Sequence, residues 1–162
     1  MLYSGMRREE MLGLRWEDID FEECIIHVER TITYPSSKPV IGLPKTPKSE
    51  RNVPVPDELI DILSPHKKPE GFLMSNENSE LYNDYQIKKL RSAAREYSGL
   101  PELDARQLRH SFASLLHAAG VETRAVGACM GHTKTSTTDH YIQVENSRLN
   151  EIRNAGFDYA VT

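Results

Sequence analysis

The spacing of apolar residues changes character along the chain, from a short helical start through alternating stretches to a helical second half. RREEMLGL (7–14) sets Arg7, Met11 and Leu14 on one helical face, and the pattern breaks near Gly13 and Trp16. CIIHVERTITY (24–34) then alternates, with Cys24, Ile26, Val28, Ile32 and Tyr34 on one side, and its β-branched residues favour a long strand. PSSKP (35–39) reads as a turn. VIGLPKT and ERNVPVP flank TPKSE, which predicts a second hairpin. Their prolines suit a small sheet rich in edges better than a buried parallel one.

Beyond this point the period is helical. A short helix over 56–63 opens at Pro56-Asp57-Glu58, and a longer one spans 83–98 with Ile87, Leu90, Ala94 and Tyr97 as its stripe. Gly99 stops it. Residues 105–119 carry Leu108, Phe112, Leu115, Leu116 and Ala119 on one face and end at Gly120, while 122–130 end at Gly131. A weaker helix is predicted over about 135–141, where Ser136, Thr137 and Thr138 lower the propensity, and 146–155 forms a last helix. The fold class expected is mainly α, with one three-stranded antiparallel sheet near the start. The apolar MLYSG at the N-terminus leads to the expectation of a fragment whose preceding portion is missing.

At 162 residues, with 38% apolar and 27% charged content, the chain suits one globular domain. It lacks an apolar run of membrane-spanning length and the layout of a signal peptide, so a cytoplasmic protein is expected. Cys24 and Cys129 stand far apart without metal-ligand spacing and read as core residues. His132 and His140 fall on different elements without an HExxH motif or acid cluster, so no metal is expected. The net charge of −4 does not advertise a nucleic-acid binder. A DNA-binding reading then requires Arg and Lys to gather on one face, away from acids such as Glu9, Glu17, Asp18, Glu22 and Glu23.

Candidate chemistry begins with cations. Arg109 lies about 100° from the Leu108 stripe, and Arg106, one turn earlier, shares its face. Taken singly, these residues and Arg7 with Glu10 fit an ordinary solvated surface. MGHTKTSTTDHYIQV (130–144) is less ordinary, because a Gly-His step at a helix end is followed by one tyrosine, Tyr141, able to act as a nucleophile.

The ordered set GMRREEMLGLRW (5–16), Lys45 in a hairpin, LRHSF (108–112), Gly131-His132 and Tyr141 resembles the phage integrase family of tyrosine recombinases over residues 3–155. Each motif is weak alone; their order makes a chance match improbable. The resemblance implies the catalytic-domain fold of that DNA breaking-rejoining type across 1–162, without the separate N-terminal clamp. It implies that Arg7 and Arg109 bind phosphate, that Glu10 buttresses Arg7, and that His132 contributes from the Gly-His step. Tyr141 would be the nucleophile. Lys45 matches the hairpin lysine, with Lys48 as its rival near the same tip. Three positions before Arg109 the family carries histidine; Arg106 stands here, able to bind phosphate but leaving the acid–base role of this position open.

This assignment implies a site-specific recombinase that acts on double-stranded DNA in a bacterial or phage setting, without a cofactor, through a 3′-phosphotyrosine. Self-association on DNA, as a tetramer, is expected, with 146–162 docking in cis or on a neighbouring subunit through Leu149, Ile152 and Phe157. The alternatives are DNA relaxation of the type IB topoisomerase kind and a degenerate DNA-binding fragment.

Overall fold

The computed structural model describes residues 1–43 and 50–131. The expectations placed on Lys45, Lys48, His132, the helix of Tyr141 and the segment 146–162 lie outside the described residues.

The chain opens with α1 (Arg8–Leu12), capped at Arg7 and closed at Gly13. A turn of 3₁₀ helix (Trp16–Asp18) leads into β1 (Ile19–Asp20), followed by β2 (Ile25–Val28), β3 (Thr31–Thr33), β4 (Val40–Gly42) and β5 (Arg51–Pro54). Then come α2 (Asp57–Leu63), α3 (Asp84–Ser98), α4 (Ala105–Ala118) and α5 (Thr123–Met130). The architecture is helical with small antiparallel sheets, as the apolar spacing predicts.

The sheet differs in detail. Residues 24–34 form two strands rather than one: β2 pairs with β5, Ile26 opposite Val53 and Val28 opposite Arg51, while β3 pairs with β4. The expected three-stranded sheet exists, but in the order β1-β2-β5, and β3-β4 is a separate two-stranded ribbon. The interruption at Glu29-Arg30 lets Arg30 turn its guanidinium onto the buried carboxylate of Asp18, which also accepts from the Arg15 backbone N–H at 2.8 Å. Side-chain alternation survives the break, and Cys24, Ile26, Val28 and Ile32 are all buried. The stretches around 40 and 52 do not pair with each other among the described residues; each lies against a different half of the 24–34 segment. β1 is only two residues long, too short to show a period in sequence.

The helix boundaries follow from capping. Asn83 accepts from the Gln86 N–H at 3.0 Å and the Asn83 N–H donates back to Gln86 Oε1 at 2.9 Å, starting α3. Asp104 and Gln107 repeat this at α4, at 2.7 and 3.2 Å. α3 departs from expectation in one respect. Its stripe is real, yet no residue of the helix is buried, and Tyr97 is 97% exposed. Periodicity makes a face apolar; it does not supply the surface that covers it.

Two apolar clusters result. Met6, Leu14, Trp16, Ile19, Cys24, Ile26, Val28, Val53, Val55 and Ile60 fill the space between the sheet and α2. Phe112 and Leu116 of α4 pack with Val121, Ala125, Val126, Cys129 and Met130 around α5. The N-terminal segment joins them: Met6 belongs to the first, and Tyr3 packs on the second. Gly5, between these two, has φ +57°, and a Cβ there would sit 2.3 Å from Phe112 Cδ1. Gly5→Ala therefore forces the junction apart. A loss of about 1–3 kcal/mol in unfolding free energy is expected from overpacking, measured by urea titration, and an unchanged midpoint would refute this close approach.

Candidate active site

The last turn of α5 presents carbonyl groups that no further helical turn can bind. Three consecutive ones are taken by three different arginines. Arg51 Nε donates to Cys129 O at 2.6 Å, Arg109 Nη2 to Met130 O at 2.6 Å, and Arg7 Nη2 to Gly131 O at 2.6 Å. Cations are favoured there because aligned peptide dipoles leave the end of a helix partly negative. Gly131 closes the helix at φ +66°, and a Cβ on it would lie 2.9 Å from Arg51 Nη1 and 3.1 Å from Arg7 Nη1. Only glycine provides both the left-handed turn and the room.

Glu10 is the counter-charge. Its side chain is 1% exposed and receives Arg7 Nη1 at 2.7 Å, Arg51 Nη1 at 3.1 Å and Arg51 Nη2 at 2.9 Å. The Arg7 backbone N–H adds a bond at 2.8 Å, so Glu10 also caps the helix that carries it. Burial alone raises the Glu10 pKa; the hydrogen bonds and charge of Arg51, and then those of Arg7, outweigh burial and hold it below the ordinary 4.5. Arg109 is held by the carbonyls of Gly5 and Met130. Burial, followed by the charge of Arg7, lowers its pKa to about 10, so it stays protonated at neutral pH.

The cluster thus sets three guanidinium groups against one carboxylate, an excess of positive charge where the two apolar clusters meet. The Arg7 side chain is 37% exposed and that of Arg51 only 8%. Arg7 and Arg109 each spend two guanidinium donors on described partners, out of the five that the group carries. Such a pair can grip the oxygens of an anion. Phosphate fits its forked geometry.

Of the residues singled out in sequence, Arg7, Glu10 and Arg109 converge. Arg106 does not join them: it is exposed, and its Nε meets His110 Nε2 on the next turn at 3.4 Å. Three residues of helix turn through 300°, leaving Arg106 and Arg109 60° apart, enough to send one outward and the other inward. His110 is likewise exposed. The cysteines are core residues as expected; burial pushes the Cys129 thiol up to about 11. Arg51 was missed. Its sequence signal lies in ERNVPVP, where alternation puts Arg51 on the same side as the buried Val53 and Val55.

The sequence matches the model of the phage integrase family over residues 1–148. The chain belongs to the phage integrase family. It is 27% identical over 161 residues to a protein named tyrosine recombinase XerC-like from Caldanaerobacter subterraneus subsp. tengcongensis, covering 83% of this chain and 41% of that protein. A tyrosine recombinase of Thermosipho africanus is 28% identical over 147 residues, covering 89% and 47%. This integrase-family chain therefore spans less than half the length of these relatives. Its fold is that of the Tn1549 transposon integrase solved with a circular intermediate DNA, at TM-score 0.67 and 22% identity over 97% of this chain and 53% of the other. The XerA recombinase gives TM-score 0.63 at 18% identity, covering 94% and 48%. Among the described residues no helix is long and apolar enough to cross a membrane.

Removing the counter-charge takes the carboxylate away from the buried guanidinium of Arg51. Glu10→Ala is expected to cost about 3–5 kcal/mol in unfolding free energy. The pH response follows from the sign of the shift. Because the folded-state pKa is depressed, the stabilisation is complete above 4.5 and is lost as pH falls through the lower folded value. Glu10→Gln should flatten that acid limb. Urea midpoints measured from neutral to acid pH check both, and an acid limb as steep as wild type would count against the buried pair.

Proposed function

We propose that this chain is the catalytic domain of a site-specific DNA recombinase, which cuts and rejoins strands through a covalent bond between Tyr141 and a DNA 3′ phosphate. The observation that carries this reading is the orientation of Arg7 and Arg109 by adjacent carbonyls at one helix end, directly before His132. The curated relatives bear the name tyrosine recombinase, and the transposon integrase of like fold was solved on DNA.

In this mechanism Arg7 and Arg109 bind the non-bridging oxygens of the scissile phosphate, with His132 as a third donor. Charge that builds on these oxygens in the transition state meets groups already in place. The Tyr141 hydroxyl gives its proton to solvent water, and its oxygen bonds to phosphorus while the bond to the 5′ oxygen breaks. That oxygen takes a proton from Lys45, or from its rival Lys48. A phenol near pKa 10 needs the nearby guanidinium charge to favour its anion. Rejoining reverses the steps: a 5′ hydroxyl attacks, and the phenol leaves with a proton. The ester conserves the bond energy, so no external energy source is required.

The partner is double-stranded DNA, on which further copies assemble, four in the complete reaction, with 146–162 as the docking segment. The reaction takes place in the cytoplasm of a bacterium or of a phage-infected cell. Exposed Arg106 is suited to a phosphate outside the scissile position.

On a nicked suicide duplex bearing its recombination site, the wild-type protein should form a covalent adduct and Tyr141→Phe none. Arg109→Ala should slow adduct formation on the order of a hundred- to thousandfold, about 3–4 kcal/mol in the barrier. Gel mobility under denaturing conditions reads both. An adduct that persists in Tyr141→Phe would assign the nucleophile elsewhere. Deleting 146–162 should reduce higher-order assembly on DNA more than first binding, and unchanged complexes in light scattering would dismiss the docking role.

A further inference from the structure

Arg51 is the residue through which all three elements of the site touch. It begins β5, opposite Val28 in the sheet, and its side chain is 8% exposed, too buried to meet a DNA backbone. From there it forks onto both oxygens of Glu10, at 3.1 and 2.9 Å, and reaches Cys129 O at 2.6 Å. One guanidinium thereby ties the sheet to α1 and to the last turn of α5. That turn is the one whose following carbonyls aim Arg109 and Arg7.

We propose that Arg51 is a positioning residue of the active site, setting the geometry of the two phosphate-binding arginines without touching DNA. The inference rests on the reading that Arg7 and Arg109 grip the scissile phosphate. Its physical content is a division of the Glu10 charge. With Arg51 present, Glu10 is shared, and Arg7 spends one donor on the carboxylate and one on Gly131 O. Without Arg51, Glu10 has only Arg7 as its described cationic partner, so Arg7 is drawn toward the carboxylate and away from any other anion. The Cys129 carbonyl is left without this donor, and the turn carrying the Met130 and Gly131 carbonyls loses its tie to the sheet. Both phosphate ligands then shift together.

Lysine cannot replace this group. Its three donors radiate from one nitrogen, whereas Arg51 holds a carboxylate edge and a carbonyl from separate nitrogens. Arg51→Lys thus keeps the charge beside Glu10 and removes the geometry, and Arg51→Gln removes the charge at similar volume.

The test uses the full-length protein and a nicked duplex selected from a random-sequence pool by covalent capture on the wild type. Equilibrium DNA affinity and the rate of adduct formation at saturating DNA are measured separately, with the folded fraction from thermal unfolding. Arg51→Lys is expected to bind DNA within about threefold of wild type and to form adduct roughly a hundredfold more slowly, the scale of loss that a displacement near 1 Å produces. Arg51→Gln should show the same split or a larger one. A wild-type rate in Arg51→Lys would overturn the proposal while leaving the recombinase reading intact. A rate that falls only in step with the folded fraction or with affinity would also overturn it, by making Arg51 a purely structural residue. A wild-type protein that captures no DNA would fail the recombinase reading itself, and this inference with it.

Discussion

One helix end organises this protein. The final carbonyls of α5 are unsatisfied by the helix itself, and leaving them so where the two apolar clusters meet would cost free energy. Arginines from β5, from α4 and from the start of α1 satisfy three consecutive ones, those of Cys129, Met130 and Gly131. The same bonds fix the directions of the guanidinium groups. Ordering a long cationic side chain normally costs conformational entropy. Here that cost is met in folding, because the carbonyls hold the guanidinium groups in fixed directions.

The arrangement requires a buried carboxylate. Three guanidinium groups around one helix terminus repel one another, and after burial, the larger cause, the charges of Arg7 and Arg51 lower the Arg109 pKa further. Glu10 relieves the repulsion from beneath, and it does so from the first turn of α1, where its second oxygen caps the helix. Structure and chemistry therefore share one residue. The excess positive charge also explains how a chain of net charge −4 can present a cationic site. Local density of charge governs an encounter at short range, because salt screens the remainder beyond about 10 Å.

Much of the architecture could be read from the chain. The helices between Asp57 and Met130 fall within a residue or two of expectation, because Asn83, Asp104, Gly99 and Gly131 mark ends chemically. Strand pairing was less legible. Residues 24–34 alternate without a break, yet the pairing partner changes at Arg30, where an ion pair with Asp18 intervenes. Alternation reports which side is buried and is silent about which strand lies alongside. In the site, Arg7, Glu10 and Arg109 were found as members of an ordered motif. For Arg51 the local alternation marks the buried side of the strand but does not name the carboxylate and the helix end that meet it there.

The sequence by itself determined the ingredients: a helix that must end at Gly131, a carboxylate one turn after Arg7, arginines spaced along three elements, and apolar faces that bring these elements together. Those features depend on neighbours within a turn or a strand, where chemistry is local. Only the tertiary structure decided that three distant guanidinium groups would share the carbonyls of one turn, that Arg106 would face outward while Arg109 faced in, and that the stripe of α3 would stay exposed. The reason is physical: each outcome is a competition between solvent and a surface supplied from elsewhere in the chain, and no local pattern encodes which surface arrives.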